Sequence, residues 1–211
     1  LLQPQPSIIP GIGGGEWNDI SNVNVDAVGL FNSTINTGSG DDVININSLA
    51  TNEDISFGML NPGDVNVSSY GSYGSSINTG SGDDSININA SSVSLRGNLW
   101  GLVSREIGLG QSEAVGLEKS TINTGSGDDK VEISAYSFGT IKNSWAIRDS
   151  SIDTGIGNDT VILNASDLAV SVGEVIEPAY GAVNSSINLG SGDDSLFINS
   201  SGEALSIGWS W

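Results

Sequence analysis

The chain has no cysteine and no histidine. The first absence excludes a disulfide framework, and the two together exclude a Cys/His zinc site and a Ser/His/Asp triad. Positive charge is nearly as scarce: six Lys and Arg stand against 25 Asp and Glu, for a net charge of −19. A chain so acidic repels nucleic acid and anionic membrane surfaces and attracts cations. No apolar run approaches the roughly 18 residues of a membrane-spanning helix, so no membrane span is expected. The acidic, cysteine-free, glycine-rich composition suits an exported protein kept soluble by its charge, and a secreted, extracellular or cell-surface location is the expectation. The 211 residues begin without Met and without a signal-peptide pattern, so the chain reads as processed or excised. Residues 1–16, rich in proline, read as an extended N-terminal arm, and 17–211 as a single domain.

What is abundant is one repeated motif. Ser33-Thr34-Ile35-Asn36-Thr37-Gly38-Ser39-Gly40-Asp41-Asp42 recurs with small changes from Ser75, Ser120, Ser150 and Ser185, at steps of 42, 45, 30 and 35 residues. A constant motif at unequal steps means a fixed corner with variable loops elsewhere in each coil. After each turn comes a period-two strand with inward Ile44 and Ile46, Ile86 and Ile88, Val131 and Ile133, Val161 and Leu163, or Leu196 and Ile198. Alternation sends Asn45, Asn87, Glu132, Ile162 and Phe197 outward. Before each turn, Ile35, Ile77, Ile122, Ile152 and Ile187 stack as an interior column. Six residues upstream, Gly29, Gly71, Gly116, Ala146 and Gly181 form a column of small residues that a sharp corner or close backbone approach requires. A third apolar segment follows the post-turn strand at Ile55-Ser56-Phe57, Val93-Ser94-Leu95, Tyr136-Ser137-Phe138, Val170-Ser171-Val172 and Leu205-Ser206-Ile207. The predicted fold is an all-β, right-handed parallel β-helix (β-solenoid) of about five coils of 30–45 residues, three strands per coil, with essentially no helix.

The turn sequence T-G-x-G-D-D-x-U, with U a large aliphatic residue, resembles the haemolysin-type (RTX) calcium-binding nonapeptide G-G-x-G-x-D-x-U-x. Position by position, the resemblance implies two turn glycines in each copy that supply backbone carbonyls: Gly38 and Gly40, Gly80 and Gly82, Gly125 and Gly127, Gly155 and Gly157, Gly190 and Gly192. It implies metal-binding aspartates Asp42, Asp84, Asp129, Asp159 and Asp194. The chain departs from the family in two ways. Thr37, Thr79, Thr124, Thr154 and Leu189 replace the first glycine, and the motif occurs once per long coil instead of back to back.

Stacking gives a physical reason for metal that does not depend on the family. Parallel strands lie about 4.8 Å apart, so the turns are expected to bring Asp41, Asp42, Asp83, Asp84, Asp128, Asp129, Asp159, Asp193 and Asp194, with Asn158 at the tenth place, into one file. Two unit charges about 5 Å apart repel by roughly 0.8 kcal/mol in water and about 3 kcal/mol at an effective dielectric of 20. Calcium relieves this because it accepts six to eight oxygens, including the backbone carbonyls that glycine turns expose. Five turns define four gaps, so about four calcium ions are expected. The competing reading is a turn whose Gly and Asp serve conformation alone.

Other residues carry weaker signals. Asn36, Asn78, Asn123 and Asn188, with Asp153, form either a side-chain ladder or a solvated file. Tyr70, Tyr73, Trp100, Trp145 and Tyr180 offer a sugar-binding platform or simple loop packing. The two ends carry neither a polar cap nor a covering helix, and one begins where the other leaves off. That predicts head-to-tail self-association, with Leu1, Leu2, Ile8 and Ile9 of the arm lying across a joint with Trp209 and Trp211. The alternative is a slice of a longer repeat protein.

The functional expectation is therefore a calcium-stabilised extracellular structural protein, a subunit of a head-to-tail fibre or surface coat. The alternative is an adhesin or carbohydrate-binding repeat module, with polysaccharide as partner. Catalysis is not expected. Arg96, Arg105, Lys119, Lys130, Lys142 and Arg148 are scattered through loops and flanks, and no paired acid constellation exists apart from the turns.

Overall fold

The computed structural model describes residues 23–56, 65–98, 110–139, 141–171 and 178–206. The N-terminal arm with Leu1, Leu2, Ile8 and Ile9, and also Trp100, Arg105, Trp209 and Trp211, lie outside the described residues.

A triplet of strands repeats five times. The coils are β1 (Val23–Phe31), β2 (Thr34–Asn36) and β3 (Val43–Ser56); β4 (Val65–Tyr73), β5 (Ser76–Asn78) and β6 (Ser85–Asn98); β7 (Gly110–Glu118), β8 (Thr121–Asn123) and β9 (Lys130–Gly139); β10 (Ile141–Arg148), β11 (Ser151–Asp153) and β12 (Thr160–Ser171); β13 (Tyr180–Val183), β14 (Ser186–Asn188) and β15 (Ser195–Ser206). Like strands stack in parallel into three five-stranded sheets, and no helix occurs among the described residues. The chain is a parallel β-helix with three strands per coil.

Isoleucine columns set the register. Ile35, Ile77, Ile122, Ile152 and Ile187 pair in order along the short strands. Ile86, Ile88, Val131, Ile133, Val161 and Leu163 are all within 1 % of complete burial. Asn45 and Phe197 are exposed, and Asn87, Glu132 and Ile162 are half-buried, as period-two alternation requires. A one-residue slip would turn every one of these aliphatics to solvent, so the hydrophobic pattern fixes the stacking.

The column of small residues marks a corner. Ser69, Ala114 and Ser144 face inward before it, and Ser72, Leu117 and Ile147 face inward after it, three positions later instead of two. The strand bends between them, and the backbone there closes on its neighbours. A Cβ at Gly29 would lie 2.6 Å from the Gly71 carbonyl oxygen and would collide with Ile46 Cγ2. Gly71, Gly116 and Gly181 stand in the same relation to Ile88, Ile133 and Ile198. Ala146 is the column's one residue with a Cβ. The aliphatic at the matching place in its coil is Leu163, the one leucine in a file of isoleucines, and leucine has no Cγ2 branch at Cβ.

The third strand is not where the sequence pattern put it. Segments such as Val93-Ser94-Leu95 are the tail of the post-turn strand, continuous with it in one sheet. The separate strand is the one that carries the small-residue column. The register of the tail also differs, since Val93 pairs with Thr51 and Phe138, not with Ile55 and Tyr136. Its inward residues are serines, with Ser92, Ser94 and Ser137 buried while Val93 and Phe138 sit half-covered on the outer face.

At the last coil, Leu196 and Ile198 are 42 % and 49 % exposed, although their counterparts one coil earlier are fully buried. Phe31 and Val43 are exposed on the first coil.

Candidate functional site

Each motif residue has a place on a ladder that joins coil to coil. The first serine of every copy donates its hydroxyl to the carbonyl two residues earlier, at 2.7–2.9 Å. In the same position Ser75, Ser120, Ser150 and Ser185 each accept the backbone N–H of the preceding coil's serine at 3.0–3.2 Å. The threonines that replace the family's first glycine form a second ladder. Thr37, Thr79, Thr124 and Thr154 donate to the carbonyl of the next coil's residue at 2.9–3.3 Å, and the last three are fully buried.

The two glycines of each turn have different parts, although the resemblance gave both the same one. The carbonyls of the first glycines, Gly38, Gly80, Gly125 and Gly155, accept N–H groups from Ser81, Ser126, Ile156 and Ser191. One lone pair of each is therefore already engaged between coils. The second glycines act as donors. Gly40, Gly82, Gly127 and Gly157 give their N–H groups to the carbonyls of those same four residues at 2.7–3.0 Å. Their own carbonyls receive no backbone N–H among the described residues and lie against the glycine one coil on. A Cβ at Gly82, Gly127, Gly157 or Gly192 would collide with the carbonyl of Gly40, Gly82, Gly127 or Gly157 in turn. Conformation adds to contact, since Gly82 has φ +123°. Gly190 and Gly192 belong to the last turn, and no described coil follows to use their carbonyls.

The aspartates fall into two files, not the single file that stacking alone suggested, because adjacent residues on the turn point to different sides. The outer file, Asp41, Asp83, Asp128, Asn158 and Asp193, is exposed. Its members accept the backbone N–H of the following coil at 2.8–2.9 Å. Asn158 fills this role as well as aspartate does, so the outer ladder needs an oxygen and not a charge. The inner file runs the other way. Asp84, Asp129, Asp159 and Asp194 accept, through Oδ1, the N–H of Asp42, Asp84, Asp129 and Asp159 in the preceding coil at 2.8–2.9 Å.

The inner file is where the electrostatics are unbalanced. Asp84, Asp129 and Asp159 are at most 2 % exposed, and the Oδ2 atoms of Asp42, Asp84, Asp129 and Asp159 are buried with no hydrogen-bond partner among the described residues. Burial pushes the Asp129 carboxyl above its ordinary value, and the charges of Asp159 and Asp84 act in the same sense. The Thr124 hydroxyl and the Asp84 N–H oppose the shift. Thr124 has a single proton, however, and gives it to the Thr154 carbonyl at 3.0 Å. A column of buried carboxylate oxygens without donors calls for a proton or a cation.

Calcium fits this column in charge and spacing. A coil step of about 4.8 Å is about twice a calcium–oxygen bond of 2.3–2.6 Å. No group of three or more acids comes together among the described residues, so two neighbouring inner carboxylates would supply the charge and neutral oxygens the remaining ligands. The buried threonine hydroxyls and the second lone pairs of the turn carbonyls are the neutral oxygens at hand.

The asparagine file beside the turn is joined at one step, where Asn188 Nδ2 donates to Asp153 Oδ1 at 3.1 Å. Amide ladders that the repeat did not flag join Asn24 to Asn66 and Asn47 to Asn89. Their signal in the sequence was a repeat of residue type at coil spacing outside the motif.

The outer face of the β1–β4–β7–β10–β13 sheet gathers most of the aromatics. Tyr73 stacks on Phe31 with centroids 5.6 Å apart, and Trp145 stacks on Tyr180 at 6.3 Å. The Arg148 guanidinium lies 4.4 Å from the Trp145 ring and contacts both Glu113 and Glu118 at 2.7 Å. Beside them is a groove of about 230 Å³ whose lining includes Asn66, Ser68, Gln111, Glu113 and Asn143. Lys119, Lys130 and Arg148 lie on outer surfaces, whereas Lys142 is buried inside the solenoid.

No family model, no curated protein and no solved structure matches the chain significantly.

Proposed function

We propose that this chain is a calcium-stabilised extracellular structural protein whose coils are tied together by cations along the inner aspartate file. The observation that carries the reading is the run of buried, unpartnered Oδ2 atoms on Asp42, Asp84, Asp129 and Asp159. The likeness of the turn to the haemolysin-type nonapeptide points the same way. Calcium supplies positive charge to this file when bound. The chain's own residues hold the carboxylates in register through the Oδ1 ladder and keep water out by stacking. Calorimetric titration of chelated protein tests this, with uptake of about four ions and a rise in Tm expected. A ligand at one hundred times its Kd contributes about 2.7 kcal/mol per site. Neither uptake nor a shift in Tm would sink the proposal.

The chain acts, in this reading, as a subunit of a head-to-tail fibre or surface coat and has no catalytic role. Its support is the exposed edge at each end of the described solenoid, with Leu196 and Ile198 on one and Phe31 on the other. Electron micrographs of the purified chain with calcium are expected to show filaments. A field of dispersed monomers at high protein concentration would count against assembly.

One observation favours a second reading, a carbohydrate-binding module. The amide-lined groove by Asn66, Gln111 and Asn143 adjoins stacked Trp145 and Tyr180, a combination that suits sugar hydroxyls and the apolar face of a pyranose ring. Binding to a polysaccharide panel that Trp145→Ala abolishes would support it.

A further inference from the structure

The interior of the β-helix changes character along its axis. On one wall, Val25, Val67, Ser112 and Lys142 stand in register. On the other stand Ala50, Ser92, Ser137, Asp167 and Gly202. The first coils close this space with an apolar cluster of Ala50, Val65 and Val67. The next close it with hydroxyls, since Ser92 Oγ meets Ser112 Oγ at 2.5 Å and Ser137 Oγ donates to Ser112 Oγ at 3.1 Å. In the fourth coil the same place holds a lysine and an aspartate.

That pair does not form a good ion pair. Lys142 Nζ and Asp167 Oδ2 are 3.9 Å apart, with side chains 1 % and 0 % exposed. Nζ donates to the Glu203 carbonyl at 3.3 Å, and neither Asp167 oxygen has a hydrogen-bond partner among the described residues. Two full charges buried at this distance would lose most of their hydration for little return. Burial holds the lysine below its ordinary value and the aspartic acid above its own, so both tend to neutrality. A neutral amine is a nucleophile, and a neutral carboxyl is an acyl donor. Held side by side in a dry site, they have the proximity that makes a condensation effectively unimolecular.

We propose that Lys142 and Asp167 condense to an isopeptide bond that ties β10 to β12 inside the solenoid. The Nζ lone pair attacks Asp167 Cγ, an N–C bond forms, and one C–O bond of the carboxyl breaks. The departing hydroxyl takes an amine proton and leaves as water, with no change of oxidation state. The Ser144 hydroxyl lies beside the carboxyl, is buried and has no partner among the described residues, so it is placed to relay that proton. Gly202 keeps the next step of the file open, since even a Cβ there would stay 3.7 Å from Nζ. The inference is independent of the calcium reading.

Intact mass measured on the unfolded, previously folded chain tests this directly. The expected mass is one water below that of the sequence, and proteolysis is expected to give a branched peptide joining the Lys142 and Asp167 segments. Lys142→Arg and Asp167→Ala are expected to restore the full mass, whereas Asp167→Asn would condense with loss of ammonia and reach the same product mass as the native chain. A native chain that keeps its full mass after prolonged incubation in the folded state overturns the proposal. So does a loss of water that persists in Lys142→Arg, because it would then arise from a succinimide elsewhere.

Discussion

The Asp129 carboxylate reaches back one coil to accept the Asp84 N–H at 2.8 Å, and its other oxygen is left buried without a donor. One oxygen thus holds the stack together and the other strains it, and the two roles separate under substitution. Asp129→Asn keeps the accepting oxygen, as Asn158 does in the outer file, and removes the buried charge. The variant is expected to melt at the same temperature as the native chain or higher without calcium, and to gain less from calcium. Thermal melts with and without chelator measure both quantities.

The raised Asp129 carboxyl fixes the sign of a pH effect. Its folded form holds a proton more tightly than the unfolded chain, so the stability it contributes is fully present below the ordinary carboxylate value and is lost as pH rises through the raised one. Without calcium, Tm is expected to rise from this group as pH falls from neutrality toward the carboxylate range. With calcium the trend reverses, because protons displace the ion. Melts across that range in chelator and in calcium should therefore cross.

Glycine at the corner column is a packing requirement that one coil has already solved differently. Gly116→Ala places a Cβ against Ile133 Cγ2 and 2.6 Å from the Ala146 carbonyl oxygen, at a cost of about 1–3 kcal/mol. Adding Ile133→Leu copies the Ala146 and Leu163 arrangement and is expected to recover part of that loss. A double-mutant cycle by denaturant unfolding reads the coupling. Strict additivity would refute the pairing.

Tyr70 donates to Glu113 at 3.2 Å, and its phenol is pushed up to about 12, first by burial and then by the charges of Glu113 and Glu118. The raised value means its contribution is intact below the ordinary phenol range and fails as pH climbs through about 12. Spectroscopic titration should find one late-ionising tyrosine, and Glu113→Gln should bring it down toward the ordinary phenol value.

The fold was legible because period-two isoleucines and a fixed turn carry it. Ile77, Ile122 and Ile152 could be assigned to the interior from spacing alone, and the small column at Gly71 and Gly116 from the absence of a side chain. The third strand was misplaced because Val93 and Phe138 look like core, whereas their neighbours Ser92 and Ser137 fill it. Paired hydroxyls satisfy one another there, and hydropathy does not record such pairing. The split of the aspartates was hidden for a related reason: Asp83 and Asp84 are adjacent in sequence, and only the turn geometry shows that one faces water and the other the interior. The same geometry divides Gly125, an acceptor between coils, from Gly127, a donor. The Lys142–Asp167 contact joins residues from two walls of the coil, and no periodicity marks it.

Every ladder described, of serine, threonine or aspartate, runs along the solenoid axis from a residue to its counterpart one coil on. A pull on the two ends therefore loads a single coil junction at a time in tension, never all of them together in shear. Without metal, the chain should lengthen in a staircase whose risers follow the coil spacings of 42, 45, 30 and 35 residues.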